Sequence, residues 1–311
     1  MFRLAHLSDV HLGPLPEISY RELASKRITG YINWQRNRRA KLHDHVIDLL
    51  VDDMKTKAPD HVAVTGDLVN LALREEIEMS RLWLTEVGPG PDVTVVPGNH
   101  DAYVPGALDR ACAAWGDWMW GDGDAVPAHR GAFPFMRRRG PCAIIGVSSA
   151  RATAPFMASG YFGSTQAKRL AAMLDAARKD GLFRVILIHH PPVRGAAASH
   201  KRLFGIGRFQ KIVARHGAEL VLHGHTHLPT LYRIEGRDGR VPVVGVAAAG
   251  QAPGGEDPPS QYNLFEIDGA PGRWNATLVR HGLDATGRAF NTVEETVLTG
   301  TRAAAAVPEI S

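Results

Sequence analysis

The stretch Val93-Thr94-Val95-Val96-Pro97-Gly98-Asn99-His100-Asp101 passes from a short apolar run straight into amide, imidazole and carboxylate groups. A β-branched apolar run of that length, closed by Pro and Gly, reads as a buried strand rather than a helix. The same arrangement recurs along the chain. Phe2 to Leu7 ends in Ser8-Asp9-Val10-His11, and His61 to Thr65 ends in Gly66-Asp67-Leu68. Val185 to Ile188 ends in His189-His190-Pro191-Pro192, and Glu219 to Leu222 in His223-Gly224-His225-Thr226-His227. Cys142 to Val147 and Val241 to Val246 are further strands, and Tyr262 to Ile267 with Trp274 to Val279 reads as a strand pair. Helical spacing fills about 38–57, 71–86 and 165–180, so strands alternate with helices. That alternation predicts a layered α/β architecture with helices outside the sheets.

In such sheets ligands bind at the carboxyl ends of the strands, so the polar clusters are expected to project into one common space. Carboxylates and imidazoles without thiolates suit Zn, Fe or Mn. If the backbone stays extended, Asp9 and His11, and likewise His225 and His227, point the same way and address one metal or two neighbours. Gly66, Gly98 and Gly224 each precede a polar residue and allow a sharp exit from the strand.

Composition excludes several classes. The 311 residues are 44% hydrophobic and 22% charged, which describes a globular chain, not a disordered or collagen-like one. A net charge of +4 is too small to imply nucleic-acid binding by itself. Cys112 and Cys142 are the two cysteines, too far apart for a disulfide framework or a cysteine zinc site, and read as buried thiols. The N-terminus lacks the form of a signal peptide, and no apolar run approaches the roughly 18 residues that span a bilayer. A cytoplasmic protein is expected. The unusual count is 15 histidines.

Taken in order, Asp-x-His, Gly-Asp, Gly-Asn-His-Asp, His and Gly-His-x-His resemble the calcineurin-like metallophosphoesterase superfamily, and within it the class III cyclic-nucleotide phosphodiesterase and glycerophosphodiesterase branch. The resemblance runs from about residue 3 to 229. It implies a four-layer αββα sandwich of two mixed β-sheets flanked by helices. It assigns Asp9, His11 and His227 to one metal and Asn99, His189 and His225 to a second, with Asp67 bridging both. His189 is preferred over His190 because the family ligand usually stands two positions before a proline, here Pro191. His100 matches the residue that contacts phosphate and protonates the leaving group, with Asp101 placed to orient it. The implied cofactors are two divalent or trivalent ions (Mn, Fe or Zn) sharing a bridging water that becomes the attacking hydroxide.

One segment stands apart. Residues 19–45 carry Arg21, Lys26, Arg27, Arg36, Arg38, Arg39 and Lys41 interleaved with Tyr20, Tyr31 and Trp34. The bland reading is a solvated helix-loop. The functional one is a cap beside the metals, with Arg27, Tyr31 and Trp34, joined by Asn99, His100 and by Arg194 of the 194–204 loop, contacting substrate. Lys201 and Arg202 are further candidates in that loop. A lipid or peripheral membrane contact through the cap stays open, as does a homo-oligomer. The domain is expected over 1–299, with a loosely held tail at 300–311. Residues after Val241 carry no motif and are left between completing the second sheet and an oligomer contact. The function expected is hydrolysis of a small phosphodiester or nucleotide, with no stable nucleic-acid partner. The alternatives are a phosphomonoesterase, a UDP-diacylglucosamine-type pyrophosphohydrolase and a metal-stabilised scaffold.

Overall fold

Strand β1 (Phe2–Leu7) lies inside a six-stranded sheet, parallel to β2 (His61–Val64), which is parallel to β3 (Val93–Val95). On its other side β1 runs antiparallel to β12 (Gln261–Ala270), followed by β13 (Arg273–Leu283) and β14 (Phe290–Thr299). A second six-stranded sheet has the order β10 (Leu231–Glu235), β11 (Arg240–Gly245), β9 (Leu220–His223), β7 (Phe183–Leu187), β5 (Cys142–Gly146) and β4 (Phe135–Arg139). Strands β6 (Gly160–Tyr161) and β8 (Leu203–Phe204) form a small parallel pair. This computed structural model describes residues 1–23, 25–34, 44–123 and 129–299. The tail at 300–311 and the cap residues Arg36, Arg38, Arg39 and Lys41 lie outside them.

The second sheet shows most plainly why the layers form. Strand side chains alternate between faces, and Ile144, Val185, Leu187, Leu220, Leu222 and Val244 join the core shared with the first sheet. Their neighbours Ile145, Ile186, Val221 and Val243 face the other way. There they meet Leu170 and Leu174 of α6 (Ser164–Lys179) and Phe209 and Val213 of α7 (Ile206–His216). On the far side of the first sheet, α3 (Asp44–Thr56) packs Val46, Ile47, Leu50 and Met54 into the same continuous apolar cluster and touches β12 and β14. Helices α4 (Arg74–Val87) and α5 (Ala107–Ala114) pack against each other beside it. Each buried Leu, Ile or Val contributes roughly 1.5–3 kcal/mol. The result is an αββα sandwich of two mixed sheets flanked by helices.

The segments after Val241 build strands in both sheets, not in the second alone. Strand β11 belongs to the second sheet, whereas β12 to β14 complete the first, because β12 supplies the antiparallel neighbour of β1. The short helices α1 (Tyr20–Leu23) and α2 (Arg27–Asn33) follow β1 as the cap. No helix among the described residues is long and apolar enough to cross a membrane.

Candidate dinuclear metal centre

Parallel β1, β2 and β3 end on the same side as β7 and β9, so five polar clusters meet above the shared core. Backbone bonds continue past the strand ends. Asp9 N–H donates to Gly66 O at 2.9 Å and His11 N–H to Asp67 O at 3.0 Å, so the first two loops run side by side. Across the sandwich, Ala249 N–H donates to Ser8 O at 2.9 Å, and His225 N–H to Asp9 Oδ2 at 2.9 Å.

The backbone here is not extended, contrary to the expectation for the i, i+2 pairs. Asp9, His11, Asp67, His225 and His227 all have positive φ, between 47° and 70°. Such residues cost of order 1–3 kcal/mol each and persist where surrounding structure over-determines them. The side chains converge because each loop turns sharply at the ligand. Gly224 makes that approach available: a Cβ there would stand 1.8 Å from Ser8 Oγ and 2.5 Å from Asp9 Oδ2. Gly224→Ala is therefore expected to push the two loops apart, costing about 1–3 kcal/mol as overpacking does. Urea unfolding together with metal content by atomic absorption would check this, with both predicted to fall.

The geometry brings the sequence-selected groups together. Donor atoms of Asp9, His11 and His227 lie within 4.8 Å of one another, as do those of Asp9, Asp67 and His189. Asp67 Oδ2 stands between the halves, 4.0 Å from His11 Nε2 and 3.3 Å from His189 Nε2. Asn99 Oδ1 is 3.2 Å from His189 Nε2. His189 and His225 fall within 4.8 Å of each other in a group with His190. His190 spends its nitrogens elsewhere, Nδ1 on Ser149 Oγ at 2.8 Å and Nε2 on Ala158 O at 3.0 Å. His189 is thus the member of the doublet that faces Asp67.

Backbone carbonyls set which imidazole nitrogen is left for a metal. His11 Nδ1 donates to Val69 O at 3.1 Å and His189 Nδ1 to Thr65 O at 2.6 Å, leaving Nε2 inward. His225 does the reverse, donating Nε2–H to Lys201 O at 2.8 Å and leaving Nδ1. Metal-ligating histidines are oriented in this way. Asp9 Oδ1 is buried and accepts no hydrogen bond among the described residues, facing His227 Nε2 at 3.2 Å. A hard oxygen without a hydrogen bond, ringed by imidazole nitrogens, fits a borderline cation.

The buried carboxylates and imidazoles also act on one another electrostatically. Burial works against charge on Asp67, but His189, His100 and His11 outweigh it and hold the carboxyl well below its usual range. Burial likewise opposes charge on His189, yet Asp67 and Asp9 lift it to about 9. Burial pushes His190 down to about 3, with His189 adding to the effect, so it stays neutral.

Asp101 is not positioned to orient His100. Its buried carboxylate accepts the N–H groups of Gly98 at 2.7 Å, Asp67 and Leu68 at 2.9 Å and Val69 at 3.3 Å, fixing the loop that carries Asp67. His100 is oriented instead by Asn70 O, 2.5 Å from Nδ1, and its ring stacks on Tyr103 at 5.4 Å. Asn70 is held in turn by buried Glu76, which accepts the Asn70 N–H at 2.8 Å and the Leu73 N–H at 2.9 Å. Neither Asn70 nor Glu76 was selected from sequence. Glu76 three residues after Leu73 at the start of α4 was the available signal.

Beside His100 opens a cavity of about 410 Å³ whose lining includes Asn99, His100, Trp34, Lys26, Tyr103 and Lys201. Among the proposed substrate contacts, Asn99, His100 and Trp34 face it. Arg27 does not: its guanidinium donates to Leu71 O at 3.0 Å and Ala72 O at 2.6 Å, strapping the cap to the Asp67 loop. Tyr31 packs against the core, and Arg194 borders a separate depression with Gln210 and Arg233. Tyr103 and His200 also line this cavity and were not selected from sequence, since neither sits in a motif.

The profile of the calcineurin-like phosphoesterase family matches residues 2–229, and the chain belongs to that family. Among solved structures, a dimetal phosphatase from Danio rerio superposes with a TM-score of 0.62 at 15% identity, covering 96% of this chain and 99% of that one. A purple acid phosphatase from yellow lupin (Lupinus luteus) seeds gives 0.56 at 13% identity, covering 98% of this chain and 55% of that one. These likenesses show the shared fold. No curated protein sequence gives a significant match.

Proposed function

We propose that the chain hydrolyses phosphodiesters, with small nucleotides or glycerophosphodiesters as substrates. The observation that carries this reading is the position of His100, at the junction between the ligand basin and a cavity large enough for a second ester group. In this proposal Asp9, His11 and His227 hold one cation, Asn99, His189 and His225 the other, and Asp67 both, with Mn, Fe or Zn as the ions. When bound, two such ions supply Lewis-acid charge and lower the pKa of water.

The protein's own groups do the rest. Asn99 and His100 border both the basin and the cavity, where they hold the phosphoryl group. His100 keeps its Nδ1–H on Asn70 O and presents Nε2 to the departing alkoxide, which it protonates. Tyr103 stacks on the His100 ring and fixes its plane.

The test is turnover of bis-4-nitrophenyl phosphate against 4-nitrophenyl phosphate by chelated protein reloaded with Mn, Zn or Fe. Metal-dependent cleavage with a higher kcat/KM for the diester is expected. A preference for the monoester would overturn the reading. His100→Asn should then cost about 10²-fold on a diester with an alkyl leaving group. The loss should be far smaller with 4-nitrophenolate, which leaves without a proton. Exposed Phe156 and Ile32 at the cavity's edge favour, as a second reading, a lipid-bearing pyrophosphate diester.

A further inference from the structure

The cavity beside His100 has an unusual lining for a site built on carboxylates. Two lysines, Lys26 and Lys201, face it, and no Asp or Glu does among the described residues. The rest of the wall includes aromatic or apolar Trp34, Tyr103, Phe156 and Ile32. Lys26 is held in place. Its ammonium donates to Thr153 Oγ1 at 2.7 Å and Met157 O at 2.8 Å and sits 4.6 Å from the Tyr103 ring centroid. It thereby ties the cap to the 153–157 loop and to the aromatic ring that stacks on His100. Lys201 stands exposed, while its carbonyl fixes His225. Phe156, 82% exposed, is carried on a left-handed backbone at φ 64°. An apolar side chain turned outward at the cavity's edge extends the apolar wall toward solvent.

A leaving group that enters this space meets apolar surface and positive charge, with no carboxylate among the described lining residues to neutralise a cation. We propose that this cavity is the leaving-group subsite and that its lysines select an alcohol with an apolar, flat body bearing a further negative charge. Cationic alcohols and small uncharged polyols are discriminated against. This narrows the substrate class and rests on the phosphodiesterase reading above.

The test uses the metal-loaded full chain and three diesters alike except at one substituent: methyl 3-carboxyphenyl, methyl 3-carbamoylphenyl and methyl 3-(trimethylammonio)phenyl phosphate. The carboxylate is expected to exceed the carboxamide in kcat/KM by about fivefold, the scale of one partly exposed charge pair. The ammonium compound should fall below both. Lys201→Gln should bring the carboxylate-to-carboxamide ratio toward one, and added salt should do the same to the unmodified protein. A general defect would scale both rates and leave the ratio unchanged, which overturns the assignment of Lys201.

Calorimetric binding of the free alcohols 3-hydroxybenzoate and 3-hydroxybenzamide separates the two levels of the argument. Equal affinity, or tighter binding of the amide, overturns the subsite. Tighter binding of the carboxylate, lost in Lys201→Gln, upholds the cavity's selectivity even if none of the diesters turns over. That last result would overturn the phosphodiesterase reading alone.

Discussion

Asp67→Asn is expected to lower turnover roughly 10²–10³-fold and to reduce bound metal from two ions toward one. The amide keeps the shape and can still accept the His100 N–H that Asp67 Oδ1 takes at 2.7 Å, so the loop stays in place. What disappears is the negative charge between His11 Nε2 and His189 Nε2. Metal analysis alongside kcat decides the matter. Full occupancy with full activity would mean that Asp67 bridges nothing.

Asp101→Ala is expected to destabilise the chain by about 3–5 kcal/mol, because several buried N–H groups lose their acceptor at about 1–3 kcal/mol each. Gly98, Asp67, Leu68 and Val69 all donate to this one carboxylate. The urea midpoint should fall with an unchanged m-value, and activity should fall because the Asp67 loop loosens. Were Asp101 instead the group that orients His100, the unfolding midpoint would hold steady and the alkaline limb of the pH–rate profile, set by the acid His100, would shift.

Much of the sandwich was legible because its parallel strands are buried on both faces and therefore read as unbroken apolar runs. Phe2–Leu7 was delimited as found, and β2, β3, β5 and β9 lie within a residue or two of their expected bounds. Strands whose burial runs through polar residues were not legible. Strand β4 is Phe-Met-Arg-Arg-Arg, and Arg137 hides its period by sinking into the core and donating to the carbonyls of Gly90, Val93 and Trp120. Edge strand β14, with two glutamates and three threonines, has one face in water. Helix α7 was missed because Gly207 interrupts its first turn.

At the centre, the polar clusters and their convergence were readable, since each closes a strand. Their backbone was not. An extended Asp-x-His and a left-handed one have the same letters, and only the crowding around Gly224 separates them. The role of Asp101 failed for a related reason. Adjacency to His100 in sequence says nothing about which neighbour a short carboxylate reaches, and here it reaches backbone donors up to 34 residues away.

The pairing of Phe2 with Ile267 also bears on how the protein comes into being. On a ribosome adding about 5–20 residues per second, β1 emerges on the order of 10–50 s before its antiparallel neighbour β12 does. His225 and His227 arrive only shortly before that neighbour. For most of this interval the nascent chain shows an apolar strand whose β12-facing edge is unpaired, together with an incomplete set of imidazoles. The first sheet therefore cannot close around β1 until nearly the whole domain has been made.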